Sequence, residues 1–126
     1  ENISYPEEPR DTKKIDESIK RVGLTSVVEG LSLGRETLIG AEKSRALSGG
    51  QGQRILLARL FYHRFPLILM DEGTSALDPQ NEQLIYKLLK LLQKEGATII
   101  ISTHRLAAKS FADTNLYFRS GTLAPE

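Results

Sequence analysis

Two short apolar runs, separated by an amphipathic stretch, limit the folds open to this chain more than any other feature of its sequence. Residues 67–70 read Leu-Ile-Leu-Met, and the run at residues 97–102 contains three consecutive isoleucines. Short runs that are apolar throughout are typical of strands buried on both faces, as in a parallel sheet. We therefore predict a buried strand at each place. A helix between them gives the strand–helix–strand order of an α/β protein with a parallel sheet.

That intervening helix has clear end signals. Asp78 suits the cap, Pro79 suits the first helical position, and Gly96 ends the helix. A wide apolar stripe predicts that one side of the helix packs against the sheet. The stripe consists of Leu84, Ile85, Leu88, Leu89, Leu91 and Leu92.

Two further helices are predicted closer to the N-terminus. Ser48 suits the cap of a helix over about residues 50–65, which Pro66 stops. Asp11 suits the cap of a shorter helix that ends near Gly23. The apolar stripe of this shorter helix consists of Ile15, Ile19 and Val22.

The remaining segments carry weaker signals. Residues 25–46 are interrupted by glycines and are expected to be irregular. Residues 106–112 predict a short helix, and two runs at residues 115–118 and 122–123 flank a Ser-Gly turn. We predict a hairpin there.

The composition excludes several classes of protein. Lys and Arg number 17 against 16 Asp and Glu, so no net charge points to nucleic acid or to an anionic membrane surface. The absence of cysteine excludes disulfides and thiolate metal sites. No apolar run approaches the ~20 residues of a membrane span. With 40% hydrophobic and 26% charged residues, the chain is typical of a soluble globular domain.

Two acids follow the first predicted strand directly. Asp71 and Glu72 would lie at the carboxyl end of a parallel strand, where α/β sheets bind their ligands. In P-loop ATPases the first acid of such a pair helps to hold Mg²⁺, and the second can act as a general base toward water. Taken alone, the pair is equally consistent with two solvated carboxylates at a strand end.

The segment Ser48-Gly49-Gly50 offers a second candidate site. Ser48 caps a helix, and the two glycines leave backbone N–H groups unobstructed by side chains. The N-terminus of a helix with bare amides suits phosphate oxygens. Taken alone, such a segment is usually only a flexible turn before a helix.

The order and spacing of these motifs resemble the nucleotide-binding domain of ATP-binding-cassette (ABC) proteins. The resemblance covers about residues 47–104 and comprises the signature motif, the Walker B strand, the D-loop and the switch histidine, in the family's order. The residues that carry it are Leu47, Ser48, Gly49, Gly50 and Gln51, then Gln53 and Arg54, then Asp71 and Glu72, then the Ser-Ala-Leu-Asp run from Ser75 to Asp78, and finally His104.

The resemblance implies a role for each motif. Asp71 would organise Mg²⁺, Glu72 would be the general base, and His104 would contact the γ-phosphate of ATP. The loop from Ser75 to Asp78 would couple two sites across a dimer. The signature, from Leu47 to Gln51, would close over ATP bound to a second nucleotide-binding domain in a head-to-tail dimer.

The same resemblance indicates that only the C-terminal half of the domain is present. No Gly-x-x-x-x-Gly-Lys-Ser/Thr run occurs in the sequence, so the P-loop that cradles phosphates is missing. The start at Glu1, without methionine, also leads us to expect part of a longer protein. We expect residues 1–52 to hold the end of the core lead-in and the helical signature subdomain. Residues 53–126 would then form the C-terminal part of a RecA-like P-loop NTPase core.

Further details favour the exporter branch of the family. His104 is followed by Arg-Leu, as in exporters, whereas importers more often have His-Asp. The resemblance then implies a transmembrane domain on the same polypeptide, a place at the cytoplasmic face of the membrane, and no nucleic acid partner. The chain departs from the family at Gly73, where Pro or Ala is common. It also departs at residues 39–44, which match the membrane-sensing Gly-Glu-x-Gly loop only loosely.

Two alternatives stay open at this point. The first is a soluble ABC-family ATPase that acts as a clamp on nucleic acid, which the near-neutral charge disfavours. The second is an inert, self-associating part of a domain, because half a sheet leaves an open edge and exposed apolar faces.

Overall fold

The computed structural model describes residues 2–37, 39 and 47–125. Most of the loosely matching loop at residues 39–44 lies outside this part of the chain. Along the chain the structure forms α1 (Thr12–Arg21), α2 (Thr25–Glu29), a 3₁₀ turn (Gly34–Glu36), α3 (Gly49–His63), β1 (Leu67–Asp71), α4 (Pro79–Lys94), β2 (Thr98–Ser102), α5 (Leu106–Lys109), β3 (Leu116–Arg119) and β4 (Thr122–Pro125).

The predicted α/β architecture is confirmed. β1 and β2 pair in parallel, with Leu67 opposite Thr98 and Asp71 opposite Ser102. α4 connects them and packs against β2. Because the two strands are parallel neighbours, their carboxyl ends lie at the same edge of the sheet. The side chains that follow each strand therefore lie at this edge.

The three main helices begin at the predicted caps. The Asp11 side chain accepts from the Lys14 N–H at 3.1 Å, and Asp78 and Ser48 cap α4 and α3 in the same way. α1 packs on α3, and α3 packs on α4. The expected subdomain division after residue 52 falls inside α3, so this one helix connects the signature to the apolar core. The core consists of Ile15, Ile19, Val22, Leu24, Leu57, Ala58, Phe61, Tyr62, Ile68, Leu77, Ile85, Tyr86, Leu88, Leu89, Leu92 and Ala108.

The prediction that both strands are buried on two faces is wrong. Ile68 is 5% exposed and faces the helices, whereas Leu69 is 70% exposed and Ile100 57%. Their register places Leu69 directly opposite Ile100, so the two residues share one face. Within the described part of the chain, helices pack against only the opposite face. We call the patch formed by Leu67, Leu69 and Ile100 the open sheet face.

Smaller corrections concern the segments with weak signals. The expected irregular stretch contains α2 and a 3₁₀ turn, and α5 ends at Lys109 rather than Ala112. Leu91 is exposed although it belongs to the predicted apolar stripe of α4. The hairpin is confirmed, with Phe118 paired to Leu123. None of the helices described here has the length and apolar content that crossing a membrane requires.

Candidate functional site

The acid pair lies where β1 ends. Asp71 is the last residue of β1, and the Glu72 N–H donates to the Ser102 carbonyl at 2.8 Å. Glu72 has a φ of 45°, a left-handed conformation that costs a non-glycine residue about 1–2 kcal/mol. Its side chain is 55% exposed. The backbone therefore turns sharply at Glu72 and leaves its carboxylate open to solvent.

His104 reaches the same place from the neighbouring strand. It follows β2 by two residues, and its Nδ1 lies 3.2 Å from Glu72 Oε1. The ring nitrogen that contacts Glu72 is Nδ1, so Nε2 is the ring nitrogen left for another partner. The imidazole is 69% exposed. Two residues 32 positions apart in the sequence thus form one solvent-facing pair at the carboxyl edge of the sheet.

The signature segment forms a capped start to α3. Ser48 Oγ accepts from the Gln51 N–H at 3.3 Å, and Gln51 Oε1 accepts from the Ser48 N–H at 3.0 Å. This reciprocal capping box satisfies two of the end groups of the helix. A Cβ added at Gly49 would meet no atom within 4 Å. The first amides of α3, which have no intrahelical partners, are therefore sterically open at Gly49, as the sequence predicts. Leu47 precedes the cap and is half-buried.

Gly50, unlike Gly49, lies in a close contact with another helix. It is buried, and a Cβ built on it would lie 2.9 Å from Cγ and Oδ1 of Asn81. Asn81 belongs to the first turn of α4 and donates from Nδ2 to Asp78 Oδ2 at 2.6 Å. The missing side chain at Gly50 thus allows close contact between the starts of α3 and α4.

The loop from Ser75 to Asp78 is held at both ends. Asp78 Oδ1 accepts from the N–H groups of Gln80 and Asn81, each at 3.0 Å. The side-chain hydrogen bond from Asn81, followed by the backbone N–H of Asn81, lowers the pKa of the Asp78 carboxyl below its usual value. At the other end, Arg105 donates to the carbonyl oxygen of Ser75. The Asp78 carboxylate therefore caps α4, and the backbone of the loop is bound to the segment that carries His104.

Gly73, the departure from the family pattern, has a local cause. A Cβ at this position would lie 2.6 Å from Cγ and 2.9 Å from Sδ of Met70. The Gln53 side chain also donates to the Gly73 carbonyl, which ties α3 to the turn that follows Glu72. Glycine at position 73 thus accommodates the side chain of Met70, the residue before the last in β1.

The carboxylates at this edge fit Mg²⁺ only together with a phosphate ligand. Among residues 2–37, 39 and 47–125, no group of three or more His, Asp or Glu side chains could hold a metal ion. Mg²⁺ is usually bound by one or two carboxylates plus waters and substrate phosphates. Asp71, the last residue of β1, would supply such a carboxylate.

The sequence reasoning missed Asn81 and Glu82. An acid in the first turn of a helix ordinarily complements the helix dipole at the surface, so nothing in the local pattern marks Glu82 as buried. In the structure it is only 4% exposed. In the sequence Arg105 only favours the exporter branch, whereas in the structure its side chain donates to the Ser75 carbonyl.

The chain is similar in sequence to transport ATPases. Its residues 1–75 match the family described as ABC transporter. It is 40% identical over 125 residues to the ATP-dependent lipid A-core flippase of Chromobacterium violaceum, covering 99% of this chain and 21% of the flippase. It is 39% identical over 127 residues to the mitochondrial iron-sulfur clusters transporter ATM1 of Debaryomyces hansenii, covering 100% of this chain and 18% of the transporter.

A solved structure shows the same fold. The structure of a bacterial Atm1-family ABC exporter with ATP bound superimposes with a TM-score of 0.78 at 32% identity, over 98% of this chain and 21% of the exporter chain. The present chain thus spans about a fifth of the length of each of these proteins.

Proposed function

The chain belongs to the ABC transporter family, and we propose that it forms the C-terminal half of the ATPase domain of an exporter. The observation that carries this proposal is the pairing of Glu72 with His104, whose side chains meet at 3.2 Å where β1 and β2 end. A general base and a ring nitrogen at the carboxyl edge of a parallel sheet are suited to hydrolysis of a phosphoanhydride.

Glu72 is the proposed base. As water attacks the γ-phosphorus of ATP, the carboxylate accepts the water proton, and the bond from the γ-phosphorus to the bridging oxygen breaks to leave ADP and phosphate. The exposed carboxylate is open to such a water. His104 Nδ1 is occupied by Glu72, so Nε2 is the ring atom that would face the γ-phosphate. Asp71 would hold Mg²⁺, which neutralises charge on the phosphate oxygens when bound.

The signature is proposed to act on a second ATPase domain. Gly49 and the capped start of α3 present open amides and the positive end of the helix dipole, which suits a phosphate group. The sequence contains no P-loop of its own for that phosphate. We therefore propose a head-to-tail dimer in which the segment from Leu47 to Gln51 closes over ATP held by the P-loop of the partner domain. The loop from Ser75 to Asp78 would contact the partner domain and so link the two ATP sites.

The open sheet face supports the proposal that the ATPase domain continues beyond these residues. Leu67, Leu69 and Ile100 are 52%, 70% and 57% exposed, and such adjacent apolar side chains are normally covered in a folded domain. The P-loop half of the domain would cover them. Because the similar proteins are named as a flippase, a transporter and an exporter, we further propose a transmembrane domain on the same polypeptide, with the ATPase domain at the cytoplasmic face of the membrane.

The test uses the full-length protein that carries this sequence. Glu72→Gln keeps the size of the side chain and removes its basicity, so turnover should fall by ~10²–10⁴ while ATP binding is retained. Asp71→Asn should also weaken Mg-ATP binding, because it removes a carboxylate from the ion. Glu95→Gln, in the surface pair between Arg21 and Glu95, is the matched control and should hydrolyse ATP normally. Glu72→Gln turnover within a few-fold of wild type would contradict the proposal.

A further inference from the structure

A polar cluster with three buried members and a partly buried arginine lies behind the candidate site. It consists of Thr74, Glu82, Tyr86 and Arg105, and we call it the Glu82 cluster. Thr74 Oγ1 donates to Glu82 Oε1 at 3.1 Å, and the Tyr86 hydroxyl lies 3.1 Å from Thr74 Oγ1 and 3.5 Å from Glu82 Oε1. Arg105 Nη1 lies 3.7 Å from Glu82 Oε2. The cluster therefore joins the turn after β1, the first turns of α4 and the segment after β2.

Arg105 extends this cluster to the backbone of the loop from Ser75 to Asp78. Its Nη2 donates to the Ser75 carbonyl and approaches the Leu77 carbonyl at 3.5 Å. Its own N–H donates to Thr103 Oγ1 at 3.0 Å, which fixes the turn between β2 and α5. The guanidinium of Arg105 thus contacts a buried carboxylate and two carbonyls of the loop. The backbone of Arg105 follows directly on that of His104.

We propose that Glu82 and Arg105 are positioning residues. They change the position of His104 when the loop from Ser75 to Asp78 moves. This inference rests on the proposed function, in which that loop meets the partner domain and His104 meets the γ-phosphate. A shift of the loop carries the Ser75 carbonyl with it, the guanidinium follows, and the imidazole one residue away changes its distance from Glu72. Contact across the dimer is in this way transmitted to the hydrolytic pair.

The chemistry of the contacts explains why arginine is needed. A carboxylate that is 4% exposed is stable only when it is paired and hydrogen-bonded. The planar guanidinium donates along several fixed directions, so it can bind Glu82 and the loop carbonyls at once. A lysine ammonium at the same place is a single point of charge. It would keep the charge near Glu82 but lose the rigid connection to the loop.

The first experiment compares Arg105→Lys and Glu82→Gln in the full-length protein. Each should lower kcat for ATP about tenfold or more, since small misplacements of reacting groups can cost ~10²-fold. KM for ATP should stay within about twofold, because neither side chain lies among the proposed nucleotide contacts. Arg21→Lys is the matched control, since Arg21 also pairs with a glutamate across two elements, and it should leave both constants unchanged.

The second experiment asks whether the effect passes through His104. Single-turnover rates are measured for Arg105→Lys, His104→Ala and the double variant. If Arg105 acts by placing the imidazole, the double variant should be no slower than His104→Ala alone, because residues that act as a unit are not additive. A structural defect would instead slow the double variant further and would lower the thermal midpoints of both Arg105 variants.

The outcomes separate this inference from the function on which it rests. Wild-type turnover in His104→Ala would overturn the proposed role of His104 and the positioning role with it. A slow His104→Ala together with Arg105→Lys and Glu82→Gln rates equal to the Arg21→Lys control would overturn the positioning role alone. Additive losses in the double variant would overturn it as well.

Discussion

At the scale of single residues, the proposed general base, Glu72, also has a strained backbone. The described non-glycine residues with positive φ are Arg64, Glu72 and Ser120. Arg64 ends α3 and Ser120 forms the hairpin turn, where left-handed residues are common. Glu72 ends neither a helix nor a hairpin. We infer that its conformation serves to aim the carboxylate at His104, which matches the tendency of strained residues to occur at functional sites.

A prediction at the same scale concerns the pH dependence of the α4 cap. The pKa of Asp78 is lowered in the folded chain, so its ionised form stabilises the fold at pH values above the unfolded pKa. That contribution is lost as the pH falls through the folded pKa. Asn is an equally good cap without charge. Asp78→Asn should therefore be less stable than wild type near neutral pH, and the difference should shrink below about pH 4.

Urea unfolding at a series of pH values checks this prediction. Glu17→Gln, an exposed change on α1, controls for the acid sensitivity of the rest of the chain. A stability difference between Asp78→Asn and wild type that stayed constant down to pH 2 would show that the Asp78 charge does not stabilise the cap.

At the scale of helices and strands, the N-terminal ends of the three main helices were predictable because the capping signals are local. Asp11, Ser48 and Asp78 each accept from an N–H group two or three residues ahead. α2 escaped prediction for the converse reason: Leu24 precedes it and gives no side-chain cap. Strand burial escaped prediction because it depends on which elements cover each face, and an apolar run does not contain that information.

The candidate site was predictable to a similar degree. Acids after one parallel strand and a histidine after the next must meet at one edge of the sheet, and Glu72 and His104 do so. The contacts of Gly50 with Asn81 and of Arg105 with Glu82 join residues that are distant in the sequence. They follow from the packing of α3, α4 and the turn after β2, which no local pattern specifies.

A prediction at this scale concerns the close contact of α3 with α4. Gly52→Ala should stabilise the chain by about 0.5–1 kcal/mol, because a Cβ there meets no atom within 4 Å and alanine favours a helix. Gly50→Ala should stabilise the chain less than Gly52→Ala does, or should destabilise it. The added Cβ displaces Asn81 and breaks the hydrogen bond from Asn81 to Asp78.

The measurement is the free energy of unfolding in urea. In an Asn81→Ala background the two glycine substitutions should become equivalent, because the obstacle at position 50 is gone. Equal effects of Gly50→Ala and Gly52→Ala in the wild-type background would contradict the contact.

At the scale of the whole molecule, the open sheet face is the feature that the described residues leave without a covering element. Its apolar side chains lie on two neighbouring strands, opposite to the face that packs on the core. Two consequences follow, one for the 126-residue chain and one for the full-length protein. The isolated chain should self-associate through this face, whereas in the proposed complete domain the P-loop half should cover it.

The last prediction uses one substitution whose effect differs between these two settings. Leu69→Thr keeps a residue that suits a strand and removes most of the apolar surface at position 69. In the 126-residue chain Leu69 is 70% exposed, so stability should change by no more than about 0.5 kcal/mol, and sedimentation velocity should show less association. In the full-length protein the same change should lower the thermal midpoint of the ATPase domain, because a buried leucine is lost there.

Leu89→Thr, at a position that is 3% exposed, is the control and should destabilise both proteins. If Leu69→Thr left the full-length protein as stable as wild type, the open sheet face would not be covered by the rest of the domain. That result would favour the alternative of an inert, self-associating part of a domain over the ATPase proposal.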